Sequence, residues 1–207
     1  MPCSSIIRNA EKNDGSVAVD LLFSAGKYLL TEVFGMGHPD TAFDYLLSAW
    51  DKGGGQYGYQ NHWVAETDGE ITGLVSCWHN QLPEDFDRLT LASIVDHYGI
   101  DNALEIVMRS QRYLALLESP LFTELGIGHL AVSEKARRKG IGAALINFME
   151  IKGQGMQKNA LVLNCSVDNH GAIAFYKKLG FGVHRSNDQF VQMIKALQIG
   201  TGNAGER

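Results

Sequence analysis

Arg137-Arg138-Lys139-Gly140-Ile141-Gly142 gathers three cations and two glycines in six residues. The run lies between an apolar stretch that reads as a strand, Gly126 to Val132, and a helical pattern starting near Gly142. Glycine lets a main chain approach an anion, successive N–H groups point inward, and a helix N-terminus adds positive potential. The spacing predicts a phosphate-binding turn. A Walker loop is excluded, because Gly-x-x-x-x-Gly-Lys-Ser/Thr does not occur. A dinucleotide fingerprint begun at Gly140 and Gly142 would put its third glycine at Leu145, and no suitable acid follows at the required distance.

A second constellation follows downstream. Leu161 to Val167 is apolar and β-branched, as in a buried strand. Asp168-Asn169 can then cap a short helix carrying Ala172, Phe175 and Tyr176, which stops at Gly180 before Phe181. Two motifs are thus present in order: Arg137-x-x-Gly140-x-Gly142, then Asn169-x-x-Ala172-x-x-Phe175-Tyr176-x-x-x-Gly180-Phe181. Together they resemble the pyrophosphate loop and the second half-site of the GCN5-related N-acetyltransferases (GNAT), in a bacterial branch whose substrates are mostly unassigned. The resemblance is strong over 123–185, fair over 56–78 and topological elsewhere.

That resemblance implies an α/β fold: one GNAT-type domain with a mixed, mostly antiparallel sheet of about six to seven strands and flanking helices. The fourth and fifth strands would splay apart at a bulge, and a helical insertion would separate the third from the fourth. It also implies acetyl-CoA as acyl donor and a primary amine, on a small molecule or peptide, attacking directly in a ternary complex. Main-chain N–H groups from Arg138 through Lys139, Gly140, Ile141 and Gly142 to Ala143 would bind pyrophosphate, with Arg137 adding charge. Leu130 and Val132 would offer main-chain groups to the pantetheine arm, and an N–H near Leu130 would stabilise the oxyanion. Asn169, Ala172 and Phe175 complete the cofactor side. Tyr176 is the candidate general acid for the departing thiolate, since a phenol is protonated at neutral pH.

The base is not spelled out. The positions that carry a Glu or His in well-understood relatives are Gly126 and Gly128. Glu124 has the same strand parity and is assigned the role through a bridging water; His129 has the opposite parity and is expected to face the core or the other side. Paired glycines imply room for a bulky acceptor or a close approach of backbone.

Other elements must position these residues. Apolar alternation on both sides of Asp68-Gly69 predicts a β-hairpin, the second and third strands. Gly15 to Gly35 reads as one helix, and Asp40 as the cap of another ending near Trp50. Residues 80–122 read as two or three helices broken at Gly99 and Pro120, available as a lid over the acceptor, a homodimer contact or extra core. Residues 1–198 form the expected domain, with 199–207 a flexible tail.

Composition narrows the class further. No apolar run is long enough to span a membrane, and no basic-aromatic array suggests nucleic acid. Cys3, Cys77 and Cys165 lack paired spacing, so neither a disulfide framework nor a metal site is expected, and a cytoplasmic location follows. Residues 1–122 hold 17 acids against 7 Lys and Arg, while 123–207 hold 6 against 11. A basic half suits a polyanionic cofactor and an acidic half a cationic amine.

Overall fold

β2 (His62–Thr67) and β3 (Glu70–Trp78) pair antiparallel from Thr67↔Glu70 to His62↔Ser76. Asp68 and Gly69 between them have φ of 52° and 80°, the two positive values of a type I′ turn. β1 (Ser5–Asn9) lies alongside β2. The computed structural model of the protein describes residues 5–198, so Cys3 and the tail 199–207 fall outside the described residues.

β4 (Glu124–Ile127), β5 (Ala131–Val132), β6 (Ala160–Ser166), β7 (Gly182–Ser186) and β8 (Phe190–Ala196) complete the sheet. Its order is β1-β2-β3-β4-β6-β8-β7, with β5 beside β3, and among the described residues only β4 with β6 is parallel. The sheet is mixed, mostly antiparallel and open. Its eight segments amount to seven strands, because β4 and β5 are two halves of the single strand read around 126–132.

Alternation along the strands sends Val64, Leu74 and Ala131 to one face and Val75, Cys77, Leu125 and Ile127 to the other. The first face is covered by α1 (Gly15–Ala25), α2 (Lys27–Phe34), α3 (Pro39–Lys52) and α4 (Phe86–Leu114), through Leu22, Leu30, Leu46, Trp50 and Ile106. The second is covered by α5 (Ile141–Gly155) and α6 (His170–Lys178), through Leu145, Ile146, Met149 and Tyr176. A fully withdrawn side chain of this size contributes about 2–3 kcal/mol, so neither layer is dispensable.

Three local readings need revision. The helix read from Gly15 to Gly35 is two helices, because the chain leaves helical geometry at Gly26 (φ −139°, ψ 30°). The next helix is entered before Asp40: Pro39 fills its first turn, where a missing N–H costs nothing, and extended His38 is the cap residue. Asp40 instead sits in the first turn, favourable to the helix dipole. The strand read as starting at Gly126 begins two residues earlier, at Glu124.

The insertion enlarges the core. α4 is interrupted at Gly99 (φ 76°, ψ 162°), and Ile94, Ala103 and Ile106 join the first hydrophobic cluster. The Tyr98 hydroxyl donates to the Phe34 carbonyl at 2.7 Å. A strap at 115–121 then crosses the sheet, where the Asn164 amide donates to the Glu118 carbonyl at 2.8 Å and Asn187 to that of Leu116 at 2.8 Å. Lys158, only 2% exposed, donates to the Asn80 side chain and to the Phe122 carbonyl (2.8 Å), tying both ends of the insertion together.

Candidate functional site

Register numbers locate a break in the sheet. Cys77 faces Ile127, but Leu74 faces Ala131, so three steps along β3 match four along the partner. The extra residue is a bulge. Gly128 N–H donates to the Ser76 carbonyl at 2.8 Å, and His129 N–H to the Ser76 Oγ at 3.1 Å, two residues opposite one.

On the other side, β4 and β6 pair only through Glu124↔Ala160, Leu125↔Leu161 and Gly126↔Val162. Beyond that point β6 runs on with β8, while β5 stays with β3. Two strand edges therefore separate into a wedge. Ser133 N–H donates to the Thr72 carbonyl at 2.9 Å; by antiparallel alternation the main-chain groups of Val132 and Leu130 point the opposite way, into the wedge.

The wedge opens toward the cationic loop. Arg138 and Gly140 adopt left-handed geometry, with φ of 61° and 87°. The first helical bond of α5 runs from Ala144 N–H to the Gly140 carbonyl at 3.0 Å, which leaves the amides of Ile141, Gly142 and Ala143 in the first turn without intrahelical acceptors. A Cβ added at Gly140 would meet nothing within 4 Å, so open space lies beside those amides. Arg137, Arg138 and Lys139 are exposed, and Arg137 Nε reaches the Val132 carbonyl at 3.4 Å. Loop and wedge together fit a pyrophosphate with an extended arm.

α6 supplies the opposite wall. The Asn169 side chain accepts the Ala172 N–H at 3.0 Å, so Asn169 is the cap. Phe175 packs over Gly142, where an added Cβ would lie 3.0 Å from its Cζ, and this contact joins the two sequence motifs. Tyr176 is buried between Phe175 and Phe181, with ring centroids 5.2 and 5.6 Å away. Burial, and to a lesser degree nearby Cys165, pushes its phenol up, which keeps it protonated.

The side chains missing at Gly126 and Gly128 leave no vacancy. A Cβ at Gly128 would fall 1.8 Å from Trp78 Cζ3, and one at Gly126 would fall 3.0 Å from Pro120 Cγ. Room for a bulky acceptor at these two positions is thus replaced by close approach of Trp78 and the strap. Glu124 is 7% exposed, and its Oε2 accepts the Leu121 N–H at 2.8 Å.

The bulge resets alternation along the strand, and His129 turns to the face of the first hydrophobic cluster, beside Tyr57. Its ring lies 5.9 Å from Tyr57 and 5.6 Å from Trp78, with Nδ1 3.4 Å from Ser76 Oγ. His62, the register partner of Ser76, shares that face. Its Nδ1 lies 2.9 Å from the Gly58 carbonyl, while Nε2 is buried without a partner. The row His62–Ser76–His129 was not read from the sequence. The signal was there: Gly126 and Gly128 within one strand mark a bulge, and a bulge resets alternation.

The remaining candidates for other chemistry are weak. Cys77 and Cys165 are buried free thiols, and burial pushes Cys77 up to about 12. Among the described residues no cluster of His, Cys, Asp and Glu could hold a metal, and no helix is long and apolar enough to cross a membrane.

Residues 107–181 match the acetyltransferase (GNAT) family model, a span that holds the bulge, the loop and α6. No curated protein matches the chain. Among solved structures, one of an acetyltransferase is 24% identical with a TM-score of 0.67, covering 94% of this chain and 100% of that one. An N-acetyltransferase from Staphylococcus aureus Mu50 is 19% identical with a TM-score of 0.67, covering 92% and 100%. The PaiA N-acetyltransferase from Thermoplasma acidophilum, in complex with coenzyme A, is 13% identical with a TM-score of 0.56, covering 93% and 99%. At these identities the likeness is one of fold. The acetyltransferase (GNAT) family match, confined to residues 107–181, falls on the residues that build the wedge and its loop.

Proposed function

We propose that the protein transfers acetyl from acetyl-CoA to a primary amine of a small molecule or peptide, by direct attack in a ternary complex. The observation that carries this reading is the wedge between β4–β5 and β6, opened by the bulge at Gly128 and His129 and facing the free amides of Ile141, Gly142 and Ala143. The cofactor supplies an activated thioester. Arg137, Arg138, Lys139, Gly140, Ile141, Gly142 and Ala143 bind its pyrophosphate, and Leu130 and Val132 pair with the extended arm along the wedge. Asn169, Ala172 and Phe175 flank it. The solved neighbour with coenzyme A supports this choice of donor.

The Leu130 N–H is a main-chain donor aimed into the wedge, placed to stabilise a developing oxyanion. Tyr176 holds the proton for the departing thiolate. Glu124 serves as base through a bridging water, one carboxylate oxygen being committed to Leu121 and the other available. An alkyl amine with a pKa near 10 costs about 4 kcal/mol to deprotonate at pH 7, so a carboxylate on that face lowers a real barrier. Cys77 and Cys165, buried and unpaired, fit a reducing cytoplasm.

Release of free thiol from acetyl-CoA, followed with a panel of amines, tests the proposal. Tyr176→Phe is expected to lower kcat ten-fold or more, while the coenzyme A dissociation constant stays within about two-fold. Glu124→Gln is expected to lower kcat while leaving coenzyme A binding in place. An unchanged kcat across pH in Tyr176→Phe removes that residue from the chemistry.

A second reading is favoured by one observation: Trp78 and Pro120 fill the places where relatives carry a base. On that reading the protein binds or senses acyl-CoA without turning it over. It predicts tight coenzyme A binding with no amine-dependent thiol release.

A further inference from the structure

The second half of α4, after the break at Gly99, buries Ala103 and Ile106 and turns its opposite face to solvent. That face is apolar: Ile100 is 76% exposed, Leu104 65% and Met108 52%. At about 100° per residue these three fall within an arc of roughly 80°. Leu114, also exposed, extends it on one side. A continuous apolar stripe on a solvent-facing helix is what an unfilled helix–helix contact looks like.

The charges beside the stripe indicate what fills it. Asp101, Glu105, Arg109 and Arg112 all lie on one flank, acids toward the helix start and bases toward its end. Glu105, Met108, Arg109 and Arg112 line a shallow groove there. When two such helices meet about a two-fold axis perpendicular to them, each charged flank lies beside its counterpart, running in the opposite direction. Asp101 then faces Arg112 of the second copy, and Glu105 faces Arg109. A parallel pair carries the charged flanks to opposite sides and gains nothing from them. The surface is self-complementary in one orientation only.

We propose that the protein forms a symmetric homodimer through antiparallel packing of the Ile100–Leu114 half of α4. Ile100, Leu104 and Met108 form the buried seam, and the four charges form its ionic edge. The 80–122 insertion then does two jobs: its inner face completes the core of one protomer and its outer face joins two. The contact lies on helix α4, outside the loop and wedge, so its success or failure is independent of the proposed reaction.

Sedimentation velocity of the full chain across a concentration series tests this. The wild type is expected to sediment as a dimer, and Leu104→Glu as a monomer. Two charge variants sharpen the test. Asp101→Arg with Glu105→Arg makes the edge wholly basic, and Arg109→Glu with Arg112→Glu makes it wholly acidic. Each alone is expected to be monomeric, and their equimolar mixture dimeric, because the antiparallel register then pairs every base with an acid. Far-UV circular dichroism identical to wild type shows that each variant is folded; should Leu104→Glu misfold, the charge pair carries the test on its own. A monomeric wild type, charge variants that dimerise singly, or a mixture that stays monomeric overturns the proposal.

Discussion

Gly128 lacks a side chain because Trp78 already occupies the space. An added Cβ would sit 1.8 Å from Trp78 Cζ3 and 2.4 Å from Ser76 Oγ, both impossible contacts. Gly128→Ala is therefore expected to destabilise by about 2 kcal/mol or more and to lower Tm by several degrees. Thermal unfolding checks this, and the same change in a Trp78→Ala background should cost clearly less. Equal costs in both backgrounds would show that Trp78 is not the obstacle. Gly140 differs, because its φ of 87° is disfavoured for other residues but the space beside it is open. Gly140→Ala is expected to cost about 1–2 kcal/mol of backbone strain and to weaken coenzyme A binding, read by calorimetric titration. Affinity equal to wild type would separate the loop from the cofactor.

At the scale of elements, the insertion is held at both ends by one lysine. Lys158 lies in the turn before β6 and bonds Asn80 at the start of the insertion and Phe122 at its end. It also lies 5.4 Å from the Phe122 ring centroid. Lys158→Met keeps the apolar stem but strands two acceptors, at about 1–3 kcal/mol each when buried. A loss of about 2–4 kcal/mol in urea unfolding is expected, with earlier proteolysis within 80–122. The strap anchored there holds Pro120 against Gly126, so the same change should alter KM for the amine more than for acetyl-CoA. A variant as stable as wild type would mean that the insertion is held by its core contacts alone.

Two imidazoles, His62 fully buried and His129 half-buried, make the stability of the whole molecule depend on pH. Burial lowers His62 to about 4, partly opposed by its bond to the Gly58 carbonyl, and burial with the neighbouring His62 lowers His129 to about 3. Both are neutral in the folded protein, whereas the unfolded chain takes up a proton near pH 6.5. The stability they contribute is present above about 6.5 and is lost as pH falls toward the folded values. His62 alone should remove roughly 2 kcal/mol between pH 6.5 and 5. Urea midpoints at several pH values check the slope, and His62→Gln should flatten it. A flat profile in the wild type would contradict the burial of these rings.

Linear order was enough to locate the cationic glycine turn and the short helix that follows β6. Gly140, Gly142 and the cations around them lie close together in the chain, and Asn169 to Phe181 is one short helix with its cap and stop. Local hydrogen bonding and helix geometry alone give these motifs their shape, so they are legible in order and spacing. The hairpin at Asp68-Gly69 is legible for the same reason. The surroundings of Gly126 and Gly128 are not local. Whether Gly126 and Gly128 make room or are filled depends on Trp78, some fifty residues earlier, and on Pro120 in the strap. The face His129 takes depends on one extra residue opposite Ser76, which strict alternation cannot reveal. The break at Gly26 and the outward stripe on α4 likewise exist only once neighbouring helices have covered the remaining surface. The sequence by itself determined the hairpin, the glycine turn at 137–142 and the short helix after Asn169, because each rests on neighbours in the chain. Tertiary structure alone decided what surrounds Gly126, Gly128 and His129, because there the contacts come from segments that only packing brings together.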